Sequence, residues 1–79
     1  MNSTIRELDA VALTHDVPAN GLVRGDVGAV VLVHGDGKAF EVEFVGYDGH
    51  TVALVTLENA QVRPLRSNDI PHVRTLAAE

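Results

Sequence analysis

Two apolar stretches flank a glycine-rich centre: Val27-Gly28-Ala29-Val30-Val31-Leu32-Val33 precedes Gly35-Asp36-Gly37, and Ala39-Phe40-Glu41-Val42-Glu43-Phe44-Val45 follows it. In the second stretch Phe40, Val42 and Phe44 alternate with Glu41 and Glu43, the period of a half-buried strand. Asp-Gly supplies the positive φ angles of a tight turn, so the two stretches predict one long β-hairpin. A two-residue turn at Asp36-Gly37 sets Val33 opposite Phe40, Val31 opposite Val42 and Ala29 opposite Phe44. That face is wholly apolar and is the expected core side, anchored by the two phenylalanines. The other face carries Val30 and Leu32 against Glu43 and Glu41.

The remaining pattern predicts three more strands. Leu8 to Leu13 reads as the first, with residues 1–7 loosely held before it. Asp16, Pro18, Asn20, Gly21 and Gly25 punctuate Thr14 to Asp26 as a long loop, and Gly28 marks a bulge or a close backbone approach. Tyr47-Asp48-Gly49-His50 is a second turn, leading into Thr51 to Leu57 with aliphatic residues at both parities. A two-residue loop there places Ala53, Val55 and Leu57 beside the phenylalanines; a three-residue loop with a bulge selects Val52, Leu54 and Thr56. Glu58 to Gln61 fits a single 3₁₀ turn, and Pro64 confines Val62 to Leu65 to a short edge strand. In residues 67–79, Ile70, Val73 and Leu76 recur every third residue, so this extension is either a short helical turn or disordered. The whole predicts an all-β, small five-stranded SH3-like barrel over residues 8–66.

A chain of 79 residues is one small domain near the lower size for a self-sufficient core. The absence of cysteine excludes disulfides, thiolate metal sites and Cys-based catalysis. The first residues lack the charged-then-apolar pattern of a secretory signal, and no apolar run approaches the roughly 20 residues of a membrane span, so a cytoplasmic location is expected. Net charge is -5, with the six cations Arg6, Arg24, Lys38, Arg63, Arg66 and Arg74 spread along the chain, which argues against nucleic-acid or phosphate binding as the main task.

Candidate chemistry is sparse. Gly21, Gly25 and Gly28 have a spacing like that of phosphate-cradling loops, but a β-branched strand follows where such a site needs a helix N-terminus. His15, His34, His50 and His72 form no ligand pair by spacing, and zinc needs three or four converging ligands. Glu41 and Glu43 project the same way about 7 Å apart, but a small barrel offers no concavity there to hold a sugar or exclude water. No nucleophile motif is present, so the expectation is a protein that is not an enzyme, with no cofactor and no metal.

Four segments together carry a family resemblance: Leu8-Asp9-Ala10-Val11-Ala12-Leu13-Thr14-His15-Asp16-Val17-Pro18; Gly21-Leu22-Val23-Arg24-Gly25-Asp26-Val27-Gly28-Ala29-Val30-Val31; Phe40-Glu41-Val42-Glu43-Phe44; and Ala60-Gln61-Val62-Arg63-Pro64-Leu65. From Leu8 to Leu65 the chain resembles a family of short bacterial SH3-like barrel proteins of unknown function. The resemblance implies no catalytic residue; it implies a neighbouring small protein as partner. The Gly-Asp-x-Gly start of the second strand also resembles the KOW type of barrel found in ribosomal and transcription factors, which usually brings basic residues that this chain lacks.

One interior cannot hold apolar side chains at both parities of the second and fourth strands. The C-terminal segment, a second copy or a different protein is left to cover the surplus, unless it is scattered over the surface. The expected function is therefore a non-enzymatic protein–protein interaction module, self-associating or paired with another small bacterial protein. The alternative is a KOW-like nucleic-acid-associated barrel. The candidate surface is Val30, Leu32, Val52 and Leu54 with Glu41 and Glu43 at its rim, an apolar centre edged by charge.

Overall fold

The computed structural model describes residues 4–76. Five antiparallel strands form one sheet: β1 (Ala10–Leu13), β2 (Val27–His34), β3 (Ala39–Val45), β4 (Thr51–Glu58) and β5 (Val62–Pro64), in the order β4-β3-β2-β1-β5. This order, the long loop after β1 and the 3₁₀ turn before β5 match the expected all-β arrangement. No ladder joins β4 to β5, so the sheet curls around its core without closing.

At the first hairpin Gly35, Asp36 and Gly37 all adopt positive φ, at 53°, 59° and 91°. The amides of Gly37 and Lys38 both donate to the His34 carbonyl, and Val33 lies opposite Phe40 as the turn chemistry predicts. Further along, the register shifts between Val30 and Leu32, so that Val42 faces Val30 rather than Val31. The extra residue is a bulge, which bends a strand and increases its twist. Bending suits β2, because Val27 to Ala29 pair with β1 while Ala29 to His34 pair with β3. The consequence corrects the expected register: Val30 is fully buried and Val31 is 39% exposed.

The second hairpin selects the first of the two registers considered. Leu57, Val55 and Ala53 lie opposite Phe40, Val42 and Phe44, with a bulge where Val45 meets Thr51. The core joins these rows to Val11, Leu13, Val30 and Val62, with Leu22 from the long loop and Ile5 from the N-terminal segment. Ile5 is 7% exposed, so the chain is anchored earlier than the polar character of its start predicts. Residues 1–3 of that expectation lie outside the described residues.

Asn59–Gln61 is the expected 3₁₀ turn, started by a capping box in which the Glu58 amide donates to Gln61 Oε1 at 2.7 Å. After β5 the chain forms no helix through Leu76. Pro71 disfavours helical backbone at Ile70, and two arginine–aspartate pairs hold the segment along the sheet. Arg63 donates to both oxygens of Asp69 at 2.8 and 3.1 Å, and Arg74 to both oxygens of Asp26 at 2.8 and 2.6 Å. Ile70 and Val73, which a C-terminal helical turn laid on the barrel would have buried, are almost fully exposed. No helix among the described residues is long and apolar enough to cross a membrane.

Candidate protein-interaction surface

With Phe40, Val42 and Phe44 committed inward, the pleat of β3 turns Glu41 and Glu43 outward. Glu41 lies between Leu32 on β2 and Thr56 on β4; Glu43 lies between Ala29 and Leu54. The Thr56 hydroxyl donates to Glu41 Oε2 at 2.7 Å and His34 Nε2 lies 2.9 Å from the same oxygen, while the Thr51 hydroxyl donates to Glu43 Oε2. The Thr56 hydrogen bond first, and the His34 contact second, hold the Glu41 carboxyl below its ordinary pKa. Glu41 is therefore a fixed negative charge beside exposed aliphatic groups, Leu32 at 44% and Leu54 at 59% exposure.

The six residues expected to form one surface divide three ways. Leu32, Leu54, Glu41 and Glu43 share the outer face of β2, β3 and β4. Val30 is in the core. Val52, at the β4 bulge, lines a cleft of about 300 Å³ between the sheet and the C-terminal segment, with Phe44, Leu22 and Val27 on one side and Pro71, Val73 and Leu76 on the other. The segment thus runs over Val52 and Phe44 and leaves Leu32 and Leu54 uncovered. Val31 is the exposed residue that sequence reasoning misses; it sits in the unbroken aliphatic run Ala29 to Val33, whose parity only the bulge decides.

Three of the histidines are engaged singly. His50 contacts Asp48 at 3.0 Å, His15 Nδ1 lies 3.0 Å from the Asp16 carbonyl oxygen, and His34 is with Glu41. No group of three or more His, Asp or Glu side chains among the described residues could hold a metal ion. In the cleft, Arg74 and the Val23 amide occupy the Asp26 carboxylate, and the Arg74 hydrogen bonds dominate in lowering its pKa.

A family model, Domain of unknown function (DUF4926), matches residues 7–64, more than half of the chain. The chain belongs to the DUF4926 family. That match contains all five strands and ends at Pro64, one residue short of where the sequence resemblance ends. The Arg63–Asp69 and Arg74–Asp26 pairs tie residues beyond the DUF4926 match back onto it. No curated protein and no solved structure matches the chain.

Proposed function

We propose that this DUF4926 protein is a non-enzymatic protein-interaction module, self-associating or paired with another small bacterial protein in the cytoplasm. The observation that carries this reading is the outer face of the β2-β3-β4 ribbon, where Val31, Leu32 and Leu54 stand exposed around two carboxylates held by cross-strand hydroxyls. An apolar centre with fixed charges at its margin gives both contact area and orientation to a protein partner. The KOW-like alternative has less support, because two of the six cations, Arg63 and Arg74, are already paired with aspartates.

The test is light scattering across a concentration series, together with pull-down from the native host, for the wild type, Leu32→Asp and Leu54→Asp. Association or partner capture that Leu32→Asp weakens at least tenfold supports the reading. A monomer at every concentration, with capture unchanged by either substitution, overturns it.

A further inference from the structure

The two edges of the sheet differ. β5 is three residues long and ends in Pro64, features that blunt an edge. β4 is eight residues long, contains no proline or lysine, and carries its one charge at Glu58, its last residue. Edges of that kind are templates for pairing with another strand.

The direction of the open backbone groups follows from two bonds at the end of β4. Asn59 N–H donates to the Lys38 carbonyl, so position 59 faces β3, whereas Glu58 N–H turns away and is taken by Gln61. In an antiparallel ladder this direction alternates. Leu57, Val55 and Ala53 therefore bond to β3, and the amides and carbonyls of Leu54 and Thr56 point to the open side. Among the described residues no backbone group outside the sheet bonds to either one. Val55, although it points inward, remains only partly buried at this edge.

We propose that the β4 edge pairs antiparallel with the β4 edge of a second copy, about a two-fold axis at Val55. This deepens the self-association reading above and rests on it. In this register Leu54 lies opposite Thr56 of the other copy, and Thr56 opposite its Leu54. The residues with open groups are thus each other's partners, forming four backbone hydrogen bonds. Two Val55 side chains meet at the axis on the inner face, and Ala53 meets Leu57. Both faces keep their sense across the seam, as a two-fold perpendicular to the sheet requires.

Charge favours this edge as the contact between like copies. Each copy carries a net charge of -5, yet Thr51 to Leu57 contains no ionisable side chain, and the register sends the two Glu58 residues to opposite ends of the seam. The contact is smaller than the roughly 1,600 Å² of a standard stable interface, so association is weak, concentration-dependent and strengthened by added salt.

The experiment is sedimentation equilibrium from 10 μM to 1 mM combined with amide hydrogen exchange on the wild-type chain. The expected result is a dimer at the upper end, with at least tenfold slower exchange at Leu54 and Thr56 there than at the lower end. Thr56→Pro, which removes an amide that β3 does not use, is expected to stay monomeric throughout. Dimerisation without concentration-dependent protection of those two amides overturns the edge pairing and leaves self-association through the outer face standing. A monomer at 1 mM overturns it too; the broader reading then survives if Leu32→Asp still abolishes partner capture, and falls if capture is unaffected.

Discussion

Gly28 is the position where a single added carbon meets the most resistance. Its φ is not in the left-handed region, so the requirement is space. A Cβ built there lies 2.7 Å from Val42 Cγ1, 2.9 Å from the Glu43 carbonyl oxygen and 2.9 Å from Phe44 Cε2. The carbonyl belongs to the neighbouring strand, and Phe44 is 3% exposed, so neither retreats without moving β3. Overpacking of this kind costs about 3 kcal/mol at the upper end of its usual range. Replacing glycine by alanine in a strand returns roughly 0.5–1 kcal/mol of backbone entropy, leaving Gly28→Ala less stable by about 2 kcal/mol. A domain of 79 residues has roughly 4–12 kcal/mol in total, so the variant still folds. Each kcal/mol moves the midpoint of a domain this size by about 4–8 °C, so Tm is expected to fall by about 8–16 °C in scanning calorimetry. Urea unfolding should show the same loss with an unchanged slope, since the surface exposed on unfolding hardly alters. Adding Val42→Ala removes one of the three clashes, so the double variant should lose less than the sum of the single losses. A Gly28→Ala protein melting within 2 °C of wild type would refute the close approach of β3 to β2.

Three further outcomes are expected. Phe40→Ala empties the centre of a fully buried site and should cost about 3–5 kcal/mol, read as a lowered urea midpoint by circular dichroism at 25 °C. Leu8 is 86% exposed yet holds a φ of 76°, a conformation costing about 1–2 kcal/mol for a side chain with a Cβ; Leu8→Gly should therefore raise Tm by a few degrees, and a lower Tm would show that Leu8 is held there by contacts. The Arg63 hydrogen bonds, followed by the Arg66 amide, lower Asp69 to about 2, and Arg74 lowers Asp26. Because both folded-state values lie below the ordinary one, the anchoring they provide is complete above about pH 5 and is lost as pH falls from about 4 towards 2. The methyl signals of Leu76, at 44% exposure the most covered of the aliphatics Ile70, Val73 and Leu76, should move towards random-coil positions over that interval and not between pH 5 and 8. Arg74→Gln should release Leu76 at neutral pH.

Most of the strand plan was legible because its signals are local. Alternation at Phe40, Val42 and Phe44, positive-φ chemistry at Gly35-Asp36-Gly37, and Pro64 in a short final strand each act within a few residues. The outer face was partly legible for the same reason: Glu41, Glu43, Leu32 and Leu54, four of the six candidate residues, follow from the pleat of β2, β3 and β4. Val30 and Val52 did not follow, since each lies beside a bulge, and one extra residue reverses the faces of everything beyond it.

By itself, then, the order of residues determined which segments are strands, which turns join them, and that more aliphatic groups exist than one small interior holds. Only the tertiary structure decided which aliphatics those are. The choice depends on where β2 must bend to serve both β1 and β3, and on where Arg63 and Arg74 find their aspartates. Neither has a local signature, because a bulge position and a pairing 48 residues apart are set by the packing of the whole sheet.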